Sequence, residues 1–348
     1  MVNIYHSMAE LDRLFPNNMA VLDAAIKTED HLNTHKRIVA SISGGSDSDL
    51  VLDLLERLGH PEDTEIRYVW FDTGLEYEAT KQQIQYLMGR YKVKIETVDH
   101  KKAIATSCKT YGVPFLTKTV SDYINRLQRH GFQWENEPFD ALCARYPGCK
   151  AALRWWCNEW GEGSRMNISN LKWLKEFLIA HPPKFKISKK CCLYSKVMPA
   201  LEYLREFGAD LNIVGVRRAE GGQRATAYTS CFTPAHENTV AQFRPLFFLR
   251  DEDKAQYEEY CKIQHSACYC KYGLKRTGCA GCPFGSRFED ELAAAEWFEP
   301  KLFQAANAIF GESYAYTREY RLFKKDMEYQ KRTGNENQLE LEGFSDAV

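Results

Sequence analysis

The sequence predicts an α/β protein built on a parallel sheet with crossover helices, and three observations support this fold class. Short apolar runs of strand character alternate with amphipathic helical patterns between residues 37 and 98. Glycine and polar residues follow the first two strand runs directly, where the carboxyl ends of parallel strands meet. A later strand run, Leu211–Val214, again opens into a glycine and two arginines. Together these patterns predict a ligand site at one edge of the sheet.

The elements follow in a regular order. The segment 1–34 carries apolar residues at helical spacing and is predicted to be helical. A strand from Arg37 leads into a helix that Gly59 ends, and a second strand covers 66–71. A helix over 78–91 and a strand over 93–98 complete the alternation. We therefore predict a nucleotide-binding α/β domain over 35–260 with a helical, tryptophan-rich insertion at about 108–183, and a cysteine-rich segment with C-terminal helices over 261–348.

Composition limits the classes of function. The chain has 348 residues, 44% of them hydrophobic, with 46 Lys and Arg against 47 Asp and Glu. This balance excludes the overall basic field that dominates non-specific nucleic-acid binding. The N-terminus is too polar for a signal peptide, and no segment approaches the roughly 18 apolar residues of a membrane span, so we expect a cytoplasmic protein. In a reducing compartment, twelve cysteines with short spacings indicate metal binding or catalysis rather than disulfides.

The loop that follows the first strand, SGGSDS over 43–48, has the composition of a phosphate-binding turn. A glycine pair lets the backbone turn sharply and present N–H groups at a helix N-terminus, which favours anions. The loop lacks the Lys-Ser/Thr pair of a Walker A motif and does not match GxGxxG. A plain strand-to-helix turn is the alternative. The second strand-end motif, Asp72-Thr73-Gly74, faces the same edge and favours the ligand site.

Six motifs, taken in order, resemble one superfamily. SGGSDS resembles the pyrophosphate-binding loop, or PP-loop, of the ATP-pyrophosphatase superfamily, and FDTGLEYEAT resembles the second motif of its phosphoadenosine phosphosulfate (PAPS) reductase branch. Further on, four segments resemble that branch in order and spacing: ISKKCCLYSKVMPA, VGVRRAEGGQRATAY, RPLFFLRDED and RTGCAGCPFG. The resemblance runs from about Arg37 to Gly285.

The resemblance implies an adenine nucleotide alpha hydrolase-like fold, with a five-stranded parallel sheet between helices and chemistry at the alpha phosphate. It implies that ATP, or adenylyl-sulfate or PAPS, is bound together with Mg²⁺. The residues implied to bind it are Ser43, Gly44, Gly45, Ser46, Asp47, Ser48, Asp72, Thr73, Gly74, Gly215, Arg217 and Arg224. Catalytic roles fall to Asp47, Arg217 and Arg218. Independently of the resemblance, guanidinium groups suit phosphate or sulfate-like groups because they form paired hydrogen bonds with their oxygens.

The cysteines predict a metal centre, and more than one set of cysteines could supply its ligands. Cys279 and Cys282 form a CxxC with glycine before it and proline after it, which is typical of a metal-binding turn. Spacing alone favours Cys268 and Cys270 as the other two ligands, in a zinc or cluster site. The resemblance instead favours Cys191 and Cys192, because CC followed downstream by CxxC is similar to the [4Fe-4S] pattern of assimilatory adenylyl-sulfate reductases. A mixed set stays open, and a third group, Cys143, Cys149 and Cys157, is left unassigned.

Three functions follow, in order of preference. The first is an ATP pyrophosphatase that forms an AMP adduct and pyrophosphate and activates an acceptor for sulfur transfer. DNA or RNA is the candidate acceptor, as in phosphorothioation systems, and a cysteine desulfurase is a candidate sulfur donor. The second is an adenylyl-sulfate or PAPS reductase, which needs a nucleophilic cysteine on a C-terminal segment, and here no cysteine follows Cys282. The third is a metal-stabilised protein that senses a nucleotide.

Overall fold

A computed structural model describes residues 3–221, 228–237 and 239–343, with the backbone alone for 334–343. The chain divides into two compact units. The first unit comprises residues up to 104 together with 192–281 and 289–304, and the second comprises 105–191, 282–288 and the residues from 305 onward. The segment boundaries expected from the sequence stay a prediction.

The helices of the described residues cover much of both units. They are α1 (Met8–Leu14), α2 (Met19–Thr34), α3 (Ser46–Leu58), α4 (Glu78–Tyr91), α5 (Ile104–Tyr111), α6 (Lys118–Arg129), α7 (Phe139–Arg145), α8 (Lys150–Trp156), α9 (Leu174–Ala180), α10 (Lys190–Cys192), α11 (Met198–Phe207), α12 (Asp251–Cys261), α13 (Ala267–Cys270), α14 (Phe288–Phe298) and α15 (Pro300–Gly343). A π-helical turn, Leu193–Val197, joins α10 to α11, and short 3₁₀ turns occur at Pro147–Cys149, Ile168–Asn170 and Arg218–Glu220. In the part of the chain that is described, no helix is both long and apolar enough to cross a membrane.

A single sheet organises the first unit. Its strands are β1 (Arg37–Ser41), β2 (Glu65–Asp72), β3 (Ile95–Asp99), β4 (Leu211–Val214), β5 (Phe232–Thr233) and β6 (Ala241–Phe243). They lie in the order β3-β2-β1-β4-β6-β5, and every neighbouring pair except β5 with β6 is parallel. The expected five parallel strands are confirmed. The short antiparallel β5 at the edge is an addition that the sequence analysis did not anticipate.

The strand order places the switch point of the sheet beside β1. The chain adds β2 and β3 on one side of β1 and then returns to add β4 on the other side. Ile38 of β1 is level with Ile66 of β2 and with Leu211 of β4. Ligands of open α/β sheets bind at such a point, outside the carboxyl ends of the strands. The loop after β1 and the glycine after β4 therefore meet where a ligand is expected.

Both faces of the sheet are covered by helices, because successive side chains of a strand point to opposite faces. Ile38 and Ala40 pack in a core with residues of α1 to α4 and α12, whereas Val39 packs with Leu204 and Phe207 of α11. The predicted arrangement of a sheet between helices is confirmed. The amphipathic pattern of α3 explains one of these layers, and Gly59, with a φ of 65°, ends that helix as predicted.

The second unit is helical and its core is aromatic. Trp156 is fully buried, and its indole N–H donates to the carbonyl of Glu135 over 2.8 Å. Its ring lies within 5.3 to 5.8 Å of the rings of Phe132 and Trp134. Tyr316 of α15 packs in the same core. This cluster gives a structural role to the tryptophan-rich stretch of the sequence.

Candidate nucleotide site and cysteine turn

The loop after β1 is held by its own serines. The Ser48 hydroxyl accepts from the backbone N–H of Ser43 over 3.2 Å and donates to the Gly45 carbonyl over 2.8 Å. The Ser43 hydroxyl accepts from the N–H of Gly45 over 3.3 Å. Gly44 adopts a φ of +66°, which an L side chain rarely adopts, and this allows the tight turn. Two of the three serines of the motif, Ser43 and Ser48, thus shape a turn that leads into the N-terminus of α3.

A small cavity opens at this turn. It has a volume of about 120 Å³ and is lined by Ser43, Gly45, Ser46, Asp47, Ser48, Gly215, Arg217, Glu220, Lys254, Tyr269, Lys275, Arg276 and Thr277. Four of these side chains are cationic and two are carboxylates, so the lining carries an excess of positive charge. Pockets that enclose a whole small-molecule ligand measure roughly 300–1,000 Å³. The cavity is therefore of a size for phosphate groups, beside a helix N-terminus that favours them.

Asp47 is buried, and one of its oxygens receives two cations. Its Oδ1 accepts from Nε of Arg217 over 2.9 Å and from Nζ of Lys254 over 2.8 Å. Arg217 also donates from its terminal nitrogen to Asp251 over 2.9 Å. Burial alone would lower the pKa of Arg217, but Asp47 and Asp251 raise it, so the guanidinium stays charged. Asp47 therefore holds two positive groups at the base of the cavity.

A second set of charged side chains connects Asp49 of α3 with His265 and Glu258. Asp49 is completely buried, and its Oδ2 lies 2.8 Å from Nδ1 of His265, whose Nε2 lies 2.7 Å from Glu258. Burial raises the pKa of Asp49 to about 6, although His265 opposes this shift. Burial alone would lower the pKa of His265, but hydrogen bonds to Asp49 and Glu258 raise it to about 9. Near neutral pH the ring is therefore protonated between two carboxylates.

His265 predicts a specific dependence of stability on pH. Its pKa rises from 6.5 to about 9 on folding, so its contribution is complete below pH 6.5 and is lost as pH rises through about 9. The raised pKa of Asp49 acts in the same direction at lower pH, between 3.8 and about 6. In urea denaturation at pH 6.5 and 9.5, the wild type is expected to lose about 2–3 kcal/mol more unfolding free energy than His265→Gln. The matched control is His60→Gln, at an exposed side chain, which should leave the contacts of His265 with Asp49 and Glu258 unchanged.

The turn after β2 lies against Cys279 and Ala280, which belong to the first unit. Asp72 accepts from the N–H of Gly74 over 2.8 Å, and Thr73 donates to Glu76 over 2.8 Å. The thiol of Cys279 lies 3.4 Å from the Thr73 hydroxyl. Next to Cys279, the N–H of Ala280 donates to the Leu75 carbonyl over 2.9 Å. The predicted nucleotide motif and one predicted metal ligand are thus in direct contact.

Cys279 has further charged and thiol neighbours in the first unit. Lys196 forms an ion pair with Glu76 at 3.4 Å. Burial is the largest influence on the Cys279 thiol and raises its pKa to about 11, whereas the charge of Lys196 acts to lower it. Cys192 is close enough to contribute to the same shift. Two cysteines from distant parts of the sequence are therefore brought together around Lys196.

The other predicted metal ligands are Cys191, Cys282, Cys268 and Cys270, and they do not share one environment. Cys191 and Cys282 belong to the second unit. Cys268 is fully buried in an apolar cluster with Ala280, and its sulfur lies 3.7 Å from the Thr80 hydroxyl, whereas Cys270 is exposed. Among all described residues, no three Cys, His, Asp or Glu side chains are grouped so as to hold a metal ion. The four-cysteine site, like the zinc alternative, stays a prediction.

The contacts of Asp47 determine whether the loop could hold Mg²⁺. Oδ1 of Asp47 already accepts from Arg217 and Lys254, and among the described residues Asp47 is not part of any group of three potential metal ligands. The loop residues therefore do not fit a Mg²⁺ ion held by the protein alone. In nucleotide sites this ion is bound mainly through the substrate phosphates.

Three further residues were predicted for the site: Gly215, Arg218 and Arg224. Gly215 packs against the backbone of Asp47 and Ser48, so close that a β-carbon there would lie 2.8 Å from the Ser48 nitrogen. Arg218 is exposed. Arg224 lies outside the described residues. Sequence reasoning missed Lys254, His265 and Tyr269, whose hydroxyl accepts from the N–H of Ser46 over 3.0 Å.

The sequence profile of the phosphoadenosine phosphosulfate reductase domain matches residues 37–131 and 165–284, more than half of the chain. The chain belongs to this family. The matched ranges contain the loop after β1, the Asp72–Gly74 turn, the Arg217 loop and both cysteine pairs, 191–192 and 279–282. The suspected PAPS reductase family is thereby confirmed. A comparison with curated protein sequences gave no match.

Two solved structures resemble the chain at low identity. A PAPS reductase from Candida auris in a phosphate complex is 12% identical with a TM-score of 0.42, covering 80% of this chain and 98% of its own. The U34-tRNA thiolase NcsA from Methanococcus maripaludis, solved with its [4Fe-4S] cluster, is 13% identical with a TM-score of 0.38, covering 93% of this chain and 85% of its own. With TM-scores below 0.5, the family assignment depends on the sequence profile.

Proposed function

We propose that the protein is an ATP pyrophosphatase of the PAPS reductase family, which transfers AMP to an acceptor and releases pyrophosphate. The observation that carries the proposal is the cation-lined cavity at the switch point of the sheet. Its volume of about 120 Å³ suits a pyrophosphate group, and the loop after β1 and the N-terminus of α3 form its wall. The nucleoside would then lie along the sheet edge toward the Asp72–Gly74 turn.

The chemistry follows from this placement. An acceptor oxygen attacks the alpha phosphorus, the bond from that phosphorus to the bridging oxygen breaks, and pyrophosphate leaves with the electron pair of that bond. Positive groups that are held in place before the reaction stabilise the charge that develops on the leaving group. Arg217 and Lys254 are held in this way by Asp47, and Lys275 and Arg276 also line the cavity.

A reductase of adenylyl-sulfate or PAPS is the second candidate, and membership of the family favours it. A reductase needs a thiolate that attacks the sulfur. None of the described residues that line the cavity is a cysteine, which favours phosphate chemistry at this position. Cys191, Cys192, Cys279 and Cys282 are part of our proposal as the ligands of a [4Fe-4S] cluster, and no step of the transfer is assigned to it.

Product analysis tests the proposal. Cluster-replete protein prepared without oxygen is incubated with ATP, with and without DNA or tRNA and a cysteine desulfurase, and pyrophosphate and orthophosphate are measured separately. We expect pyrophosphate, lost in Ser43→Ala and retained in the control Ser169→Ala, whose side chain is exposed in the second unit. Sulfite formed from adenylyl-sulfate or PAPS with a thiol donor, without pyrophosphate from ATP, would establish the reductase instead. Tight ATP binding without any turnover would favour the nucleotide sensor.

We propose that the acceptor is a nucleic acid. Because acidic and basic residues balance over the whole chain, the charges support a contact at one local group of lysines rather than over an extended basic surface. Of the lysines around the 191–192 pair, Lys189 lies 3.3 Å from Asp122, and Lys190 lies over the ring of Tyr111. Lys184 and Lys186 are exposed on the second unit. If DNA or tRNA is the acceptor, its addition should increase pyrophosphate release, and the increase should fall steeply with salt.

A further inference from the structure

Lys254 projects from α12 into the loop after β1. Its ammonium donates to the Ser46 hydroxyl over 2.5 Å and to Asp47 over 2.8 Å, although the residues are more than 200 positions apart in the chain. The side chain is only 13% exposed, and the residue lines the phosphate-sized cavity. The loop itself, SGGSDS, contains no cationic side chain. In Walker A loops, by contrast, a lysine of the loop itself reaches the phosphates.

The cavity that Lys254 lines carries positive charge in excess, because four of its side chains are cationic and two are carboxylates. Asp47 Oδ1 also accepts from Arg217, so one carboxylate faces two cations. The only other carboxylate within ion-pair distance of Lys254 among the described residues is Glu258, at 3.5 Å. Arg217 also pairs with Asp251, so the excess belongs to the whole lining, to which Lys275 and Arg276 contribute. The surplus at the wall of an open cavity is what an anionic ligand would balance.

A closed ring of side chains fixes Lys254 in this position. Glu258 lies one helical turn further along α12 and contacts His265 over 2.7 Å. His265 contacts Asp49 over 2.8 Å, and Asp49 belongs to the first turn of α3, next to the loop. Gln83 also donates to Asp49, over 3.0 Å. The ring therefore starts and ends at the turn that carries Ser46 and Asp47.

We propose that Lys254 is a phosphate-binding residue of this loop, supplied by α12 in place of the lysine that the loop lacks. Glu258, His265 and Asp49 are positioning residues, because they hold the lysine at the loop without lining the cavity themselves. The inference rests on the proposed function, because it assigns a residue to the same nucleotide pocket. It specifies the ligand group as the pyrophosphate portion of the nucleotide.

Equilibrium binding of inorganic pyrophosphate and of ATP tests the assignment without requiring turnover. Lys254→Met is expected to weaken both affinities about 10- to 100-fold, the effect of losing one charge-assisted hydrogen bond. Lys254→Arg keeps the charge and is expected to recover a substantial part of the affinity. If Lys254→Met does not fold, Lys254→Gln replaces it, since its neutral amide keeps donors for Ser46 and Asp47. Lys94→Met, at a side chain that is 80% exposed, is the matched control and should bind as the wild type does.

His265→Gln tests the positioning ring. It is expected to weaken pyrophosphate binding less, about 3- to 10-fold, and to change the pH profile of that binding between pH 6 and 10, which a purely structural substitution would not do. Wild-type affinity for pyrophosphate in folded Lys254→Met or Lys254→Gln would overturn the assignment and leave Lys254 as a partner of Asp47 only. A wild type that binds pyrophosphate through Lys254 but releases none from ATP would contradict the proposed function and support the inference. A wild type that binds neither compound would overturn both.

Discussion

Gly215→Ala is expected to weaken ATP binding at least about 100-fold and to abolish pyrophosphate release. Gly215 follows β4 and faces the first turn of α3, where a β-carbon would lie 2.8 Å from the Ser48 nitrogen, 2.9 Å from the carbonyl carbon of Asp47 and 3.0 Å from its oxygen. All three are backbone atoms, which cannot rotate away as a side chain can. The loop or β4 must therefore move, and small displacements of a positioned group have large effects on rate. Isothermal titration with ATP and a pyrophosphate assay measure both effects.

The same substitution should lower stability by about 1–3 kcal/mol, as overpacking does. Gly89→Ala is the matched control because Gly89 is exposed in α4 and a β-carbon there meets nothing within 4 Å. That variant should bind ATP normally and be more stable by up to about 1 kcal/mol, since alanine favours the helix. Normal ATP affinity in folded Gly215→Ala would show that the contact between β4 and the loop does not shape the phosphate site.

The loop and the sheet were predictable because their signals are local. Apolar residues at helical spacing predict α3, and a short apolar run followed by two glycines predicts the end of β1 and the turn after it. The helix over 78–91 and the strand over 211–214 have the bounds expected from the sequence. β5 is only two residues long and pairs antiparallel to β6, so no periodicity could indicate it.

The cations around the loop were only partly predictable. The motif indicated Arg217 as a phosphate ligand, but its pairing with Asp47 and Asp251 depends on the tertiary fold. Lys254 and His265 meet the loop across 207 and 216 residues, a separation at which no local pattern operates. One signal was available. Lys254 follows three acidic residues in the first turn of α12, and the helix dipole disfavours a cation at that end. A lysine at this position therefore indicates an anionic partner elsewhere in the fold.

Buried acids on α3 gave a second signal that the sequence analysis did not use. Asp49 and Asp53 are four residues apart beside the apolar stripe of that helix, and both are completely buried. Asp53 is satisfied by Arg57, Tyr91 and Tyr257. Acidic residues on the inward side of an amphipathic helix require buried partners. That requirement indicates a polar network behind the loop, although it does not identify His265.

Asp47→Asn is expected to reduce pyrophosphate release about 100-fold or more. The carboxylate holds Arg217 and Lys254 on one oxygen, and the neutral amide holds both more weakly because it carries no charge. The two cations would then move toward their other partners, Asp251 and Glu258, and away from the leaving group. Loss of one preorganised charged contact at a transition state typically reduces kcat 10²- to 10³-fold. Single-turnover pyrophosphate release measures this effect independently of product dissociation.

Stability gives a second readout of the same substitution. Removing one partner of a buried ion pair leaves an uncompensated charge, and with Asp251 and Glu258 as remaining partners we expect a loss of about 3 kcal/mol. Asp23→Asn is the control, because Asp23 pairs with Lys27 on α2 with a side chain that is 51% exposed, and such pairs contribute at most about 1 kcal/mol. If Asp47→Asn were as stable and as active as Asp23→Asn, the two cations would not depend on Asp47. Asp251 and Glu258, their other partners, would then be the residues that hold Arg217 and Lys254 at the cavity.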